Sequence, residues 1–193
     1  IKLYIMLALV LFFVIGCCGA VLLGRLSDIV DYLLYVDKKT GLPNREKLNI
    51  YIGEMAGKVL PEAFTCFTLS LDNLSELTKR FGYTVGDGVL KDFAGLVQLM
   101  GDTEGMRGYN GIGRFVVFFE ECSSKKAAAM IRILDNQVEE YNSLNPEYPI
   151  RYTAAWATTE ETDTYEIREL LRLSQKKWRQ MEKEKKDKTE EET

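Results

Sequence analysis

A chain of 193 residues with 29 acidic and 25 basic side chains carries a formal charge of −4 and a pI near 5.1. That length allows one ordinary domain with an appendage, and the acidic balance offers no basic surface for nucleic acid. The chain has no histidine, which excludes histidine general bases, histidine metal sites and histidine-dependent triads.

The first predicted element is a membrane helix. Leu3 to Leu23 carries no charge and is dominated by Leu, Val, Ile, Phe and Ala. Roughly 20 apolar residues suffice to cross about 30 Å of hydrocarbon. A cleavable signal peptide would have a shorter apolar core and a small-residue cleavage site. Residues 1–24 therefore read as a transmembrane helix, and a start at Ile1 rather than Met leaves upstream segments open. Gly16, Ala20 and Gly24 recur every four residues, a spacing that permits close helix contact in lipid and also arises incidentally in spans. Residues 25–36 continue as a helical stalk in which Leu26, Ile29 or Val30, Leu33 and Val36 recur at helical steps. The stalk is under two heptads long and suits either a parallel dimer or packing on its own domain. Arg25, Lys38, Lys39, Arg45 and Lys47 follow the span and only Lys2 precedes it, which predicts a cytoplasmic domain.

Beyond the stalk, Asp37-Lys-Lys-Thr-Gly-Leu-Pro-Asn-Arg45 reads as a glycine turn with Asn44 as the cap of a new helix. That helix spans Arg45 to Val59, with Leu48, Ile52 and Met55 on one side and Pro61 as its stop. Phe64 to Leu71 is strand-like, and Val85 to Met100 is a second core helix. Asn110 to Gly113 is a glycine-broken turn, with Asn110-Gly111 as the hairpin signal, and it feeds the buried strand that starts near Phe115. A helix from Ser124 to about Tyr141 presents Ala127, Ile131, Leu134 and Val138 inward. A strand follows at Ile150 to Ala157, then a closing helix from Tyr165 to about Lys183. The Lys/Glu tail, residues 187–193, has no apolar content and is expected to be disordered. Of the four cysteines, Cys17 and Cys18 are adjacent, while Cys66 and Cys122 sit beside apolar runs and are expected to be reduced, buried thiols.

Several of these stretches carry one resemblance. Asp37 to Arg45 resembles the Asp-x-Leu-Thr-Gly-Leu-x-Asn-Arg motif that opens GGDEF (diguanylate cyclase-like) domains, departing only at Lys39, where Leu is usual. Ser70 to Asp87 is similar, with identical spacing, to the family's Asp-x-Asp-x-Phe-Lys-x-x-Asn-Asp-x-x-Gly-His-x-x-Gly-Asp segment. Gly111-Ile112-Gly113-Arg114-Phe115 stands where the family has its Gly-Gly-Asp/Glu-Glu-Phe turn. Thr153 to Ala157 and Leu170-Leu171-Arg172 resemble two further family segments, so the resemblance spans residues 37–186. It implies an α/β, palm-like fold in βααββαβ order, with a central, mostly antiparallel sheet flanked by helices.

The same resemblance implies a chemistry and marks where this chain departs from it. Members join two GTP molecules into cyclic di-GMP, with Mg²⁺ activating the attacking hydroxyl and neutralising the leaving pyrophosphate. Mg²⁺ wants hard oxygen ligands. Here Ser70 takes one metal-ligand position, and Gly113 with Arg114 takes the acidic pair of the turn. Thr78 replaces the guanine-contacting Asn, whereas Asp72, Gly82, Gly86 and Asp87 are retained. Asp102 to Gly105 replaces the Arg-x-x-Asp of product-inhibited members. The expectation is a catalytically degenerate, membrane-anchored GGDEF domain with no metal and no cofactor. It would act in signalling or scaffolding as a homodimer, or as a heterodimer with another membrane signalling protein. One alternative is a non-catalytic receptor for GTP or cyclic di-GMP, using Asp87, Thr78, Arg114 and Asp72. The other is an active cyclase with altered Mg²⁺ ligation.

Overall fold

The computed structural model describes residues 2–101 and 105–191. It divides into two compact units, Ile1–Val36 and Asp37–Thr193. The first unit is one helix, α1 (Lys2–Tyr35), continuous through Gly24 at the junction of the predicted span and stalk, where no proline interrupts it. Its portion from Leu9 to Tyr35 is long and apolar enough to cross a membrane, and its large apolar side chains are exposed.

The second unit opens on a turn built by one side chain. Asp37 Oδ1 accepts from Lys39 N at 3.1 Å, Thr40 N at 2.9 Å and Thr40 Oγ1 at 2.8 Å. Gly41 follows with φ +72°, a left-handed conformation that glycine adopts without steric cost. Asn44 then caps α2 (Arg45–Met55) by accepting from Lys47 N. This helix stops short of the expected Val59, because Ala56 is extended and Gly57 has φ +79°.

Four strands form one antiparallel sheet: β1 (Thr65–Leu71), β2 (Gly105–Gly111), β3 (Arg114–Phe119) and β4 (Tyr152–Thr158), in the order β2-β3-β1-β4. Two helices, α3 (Leu74–Phe81) and α4 (Tyr83–Gln98), separate β1 from β2. A long helix α5 (Ser124–Leu144) links β3 to β4, and a short α6 (Thr159–Thr162) and α7 (Ile167–Glu191) close the chain. The βααββαβ order expected of a palm-like domain is therefore present. Every residue of β1 is buried, as a central strand covered on both faces must be.

Alternation along the strands sorts the core into two layers. Phe67, Leu69 and Leu71 of β1, with Phe115, Val117 and Phe119 of β3, pack against Leu77, Leu90, Phe93 and Val97 of α3 and α4 and Leu134 of α5. On the opposite face, Cys66, Val116 and Phe118 pack against Leu48 of α2 and Ile167 and Leu170 of α7. Cys66 and Cys122 are buried free thiols, and burial pushes the Cys66 thiol far above its ordinary range.

Strand β2, the hairpin turn and the tail also differ from expectation. Sequence pattern passes over β2 because its three glycines break any apolar alternation, yet close packing requires two of them. A Cβ at Gly108 would overlap Leu48, and one at Gly105 would overlap the Phe119 ring and the Phe118 carbonyl. The hairpin turn also lies later than the Asn110-Gly111 signal. Asn110 belongs to β2, and the two-residue loop is Ile112-Gly113, with φ +52° and +70°. Positive φ at both loop residues is the requirement of a type I′ turn. Gly113 takes the crowded place, where its backbone faces the Leu71 carbonyl and Leu74, and Ile112 is left at the tip, 85% exposed. The predicted disordered tail falls partly within α7, which runs to Glu191; residues 192–193 and Asp102 to Glu104 lie outside the described residues.

A β-branched residue in the left-handed region is strained by about 1–2 kcal/mol. Ile112→Gly is therefore expected to raise unfolding free energy by roughly 1 kcal/mol, read from urea denaturation of the detergent-solubilised chain. No change, or a loss, would show the turn to be unstrained.

Candidate functional site at the β1–β3 junction

The pairing of β1 with β3 places Ser70 directly opposite Arg114, and the pairing with β4 places Ser70 opposite Thr153. Leu71 N donates to the Gly113 carbonyl at 2.8 Å, which ties the end of β1 to the turn. Of the positions expected to hold a metal, Ser70 and either Gly113 or Arg114, Ser70 and Arg114 are thus neighbours across one ladder, with Gly113 one residue away in the turn. What they present is a buried hydroxyl and a guanidinium. Arg114 leans over Trp178 of α7, its guanidinium carbon 5.3 Å from the ring centroid, a cation–π contact.

Helix α7 is fixed over this face by a buried bond between Thr68 and Ser174, whose hydroxyl oxygens are 2.6 Å apart. Ile167, Leu170, Ser174 and Trp178 are its buried residues, spaced by three and four as one helix face. That spacing could have placed Trp178 beside the site from sequence, since the closing helix read from Tyr165 to about Lys183 contains it.

The retained carboxylates are each met by a lysine of the chain itself. Asp87 Oδ1 lies 2.8 Å from Lys39 Nζ, so the one residue that departs from the opening motif closes on one of the retained aspartates. Asp72 Oδ2 accepts from Thr153 Oγ1 at 2.6 Å, with Lys185 Nζ 3.5 Å away. The same ammonium donates to the Tyr152 carbonyl at 2.7 Å and to Thr153 Oγ1 at 2.8 Å. Partial burial raises the Asp72 pKa above the ordinary carboxylate value, opposed by the Thr153 bond and the Lys185 charge. Lys39 and Lys185 carry no local sequence signal for these roles.

Thr78 serves packing. Its hydroxyl donates to the Leu74 carbonyl at 2.8 Å within α3, and it abuts Gly86 of α4 so closely that a Cβ at Gly86 would overlap it. Gly86 therefore sets the approach of the two helices. The small cavity that Arg114 lines, about 50 Å³, is bordered by neither Thr78, Asp87 nor Asp72. Small-molecule pockets run to roughly 300–1,000 Å³. Of the four candidate ligand-binding residues, Asp87 pairs with Lys39, Asp72 meets Thr153 and Lys185, Arg114 stacks on Trp178, and Thr78 packs against Gly86.

The donor set does not suit a divalent metal ion. Among the described residues no three His, Cys, Asp or Glu side chains lie together as a ligand group. A serine hydroxyl across from a guanidinium does not fit Mg²⁺, which needs carboxylate and phosphate oxygens.

Residues 34–188 match the family described as Diguanylate cyclase, GGDEF domain. The chain belongs to the GGDEF family. Among solved structures, a diguanylate cyclase/phosphodiesterase from Caldicellulosiruptor saccharolyticus is 18% identical with a TM-score of 0.63, covering 80% of this chain and 91% of that one. The GGDEF domain of FimX from Pseudomonas aeruginosa is 18% identical with a TM-score of 0.60, covering 74% of this chain and 90% of its own. The coiled coil and GGDEF domain of DgcB from Caulobacter crescentus, solved in complex with c-di-GMP, is 15% identical with a TM-score of 0.58, covering 74% and 80%. At such identities these likenesses establish the shared GGDEF fold. No curated protein matches the chain.

The contact between Thr78 and Gly86 sets a prediction. Gly86→Ala is expected to destabilise the GGDEF domain by about 1–3 kcal/mol through overpacking. Thr78→Ala in the same chain, by removing the hydroxyl that the new methyl would strike, should recover most of that loss in a double-mutant cycle. Strict additivity of the two substitutions would mean that the contact does not limit the packing of α3 on α4.

Proposed function

We propose that the chain is a catalytically silent GGDEF domain, anchored in a membrane by α1 with the domain on the cytoplasmic side. On this reading it works as a signalling or scaffolding module, through dimerisation or partner docking. The observation that carries the reading is the cross-strand pair of Ser70 and Arg114. It puts a neutral hydroxyl at one ligand position, and a glycine and a fixed positive charge at the acidic pair of the turn, where the reaction needs anionic ligands for a divalent cation. At about 4 Å and an effective dielectric near 20, each unit of like charge costs on the order of 4 kcal/mol before screening by solvent. The engagement of Asp87 by Lys39 and of Thr78 by the Leu74 carbonyl weighs against guanine recognition at those residues. The cytoplasmic orientation is supported by the basic residues that follow the span, Arg25, Lys38, Lys39, Arg45 and Lys47.

Pyrophosphate release from GTP tests the proposal. The detergent-solubilised full chain, with Mg²⁺ or Mn²⁺, is expected to release no pyrophosphate above a protein-free blank over hours. Metal-dependent release that disappears in Asp72→Ala or Asp87→Ala would instead establish an active cyclase with altered metal ligation.

A further inference from the structure

The sheet has two outer strands, β2 and β4, and they end differently. On β2 the Tyr109 amide donates to the Pro43 carbonyl at 2.8 Å, and Leu48 of α2 packs against Gly108. The ladder of β4 with β1 is fixed at both ends. Asp72 N donates to the Arg151 carbonyl at 2.7 Å, and Thr159 N to the Phe64 carbonyl at 3.0 Å. Between these bonds the register runs without a shift, so Thr153, Ala155 and Ala157 turn their backbone groups toward β1. Tyr152, Ala154, Trp156 and Thr158 turn theirs away from the sheet. Two of those outward carbonyls are taken: Lys185 Nζ donates to Tyr152 at 2.7 Å, and Thr162 Oγ1 to Thr158 at 2.6 Å. Among the described residues, the outward backbone groups of Ala154 and Trp156, both partly exposed, meet no partner.

An open strand edge is a template for another strand, and the shape of this one selects its occupant. The closed carbonyls of Tyr152 and Thr158 limit the gap to Ala154–Trp156, so a long strand would have to displace Lys185 and Thr162. A second copy of β4 brings a gap of the same length. We propose that β4 pairs antiparallel with β4 of a second copy of this chain, joining two four-stranded sheets across a two-fold axis at Ala155. In that register Ala154 of each copy lies opposite Trp156 of the other, and each pair exchanges both of its N–H···O bonds. A large side chain then meets a small one. The two Ala155 residues form the close, non-bonded pair at the axis, with Cα atoms about 4.5 Å apart, where a small side chain fits best. Anchoring by α1 keeps the copies in one plane, which raises the effective concentration that a short interface needs. The pairing rests on the scaffolding reading and deepens it, because it names the surface through which the domain dimerises.

The test is amide hydrogen exchange, resolved to single residues, on the full chain in dodecyl maltoside at rising protein-to-detergent ratio. Exchange at Ala154 and Trp156 is expected to slow by at least about tenfold as the ratio rises. Thr153, Ala155 and Ala157, already bonded to β1, should exchange slowly throughout. Ala154→Pro removes an outward donor and leaves the inner ladder alone. It should abolish the slowing at Trp156, while slow exchange at Ala155 and Ala157 shows that β4 is still folded. Ala154→Glu, which keeps the N–H and puts a charge on the edge, should weaken the slowing in the same direction. Light scattering gives the oligomeric state of each sample. A dimer whose Ala154 and Trp156 amides stay fast at every ratio would mean that α1 alone joins the copies, and overturns the proposal. Fast exchange in a monomer overturns it too and leaves the edge to a different partner. Slow exchange that ignores the ratio would place the cover within one chain, against the proposal. Pyrophosphate release from GTP is scored separately, so turnover would sink the silent-domain reading and leave the exchange data to decide this one.

Discussion

Antiparallel pairing of β1 with β3 is the constraint on which the rest of the domain depends. Because β1 is buried along its whole length, its side chains must alternate between two helical layers, and its register cannot slip by one residue without inverting both cores. The bond from Leu71 N to the Gly113 carbonyl fixes that register at one end, and the two-residue loop at Ile112-Gly113 fixes the register of β2 on β3. With the register set, Ser70 and Arg114 have no freedom to be anywhere but across from each other. The chemistry of the site follows from which side chains occupy these two positions. The scaffold that aligns them is intact.

A second theme is that the chain supplies its own cations. Lys39 closes on Asp87, Lys185 sits against Asp72 and Thr153, and Arg114 stacks on Trp178. Individually these are solvent-screened surface contacts that add little to stability. Their importance lies in position. Two of them place a positive side chain against a carboxylate and the third beside the signature turn, and two draw on α7. The buried Thr68–Ser174 bond and the apolar seam of Ile167 and Leu170 hold that helix down, so the cations it carries are held with it.

Much of this was legible in the sequence, for local reasons. The stretch from Asp37 to Arg45 announced its turn because one carboxylate organises three donors within three residues. The helices declared their inner faces by spacing, and Asn44 its cap by type. The loss of acidic residues at Ser70 and Arg114 could be read directly, as could their proximity once a palm-like sheet was expected. The strand β2 was hidden because Gly105 and Gly108 are there for close packing against Phe119 and Leu48, and neither contact leaves an apolar pattern. Asn110-Gly111 misled because the turn is placed by Gly113, which alone tolerates the crowding beside the Leu71 carbonyl. Pairings such as Lys39 with Asp87, 48 residues apart, and Lys185 with Asp72, 113 apart, follow from the fold and from nothing local.

The central claim is that the Ser70–Arg114 pair cannot hold the divalent cation that cyclase chemistry requires. Its most direct test is electron paramagnetic resonance of Mn²⁺, titrated into the full chain in detergent with and without GTP. The account predicts that protein leaves the free-ion signal as it is in protein-free controls containing the same nucleotide. Loss of about one equivalent of free Mn²⁺ per chain, beyond what GTP alone removes and reversed in Ser70→Ala, would contradict it.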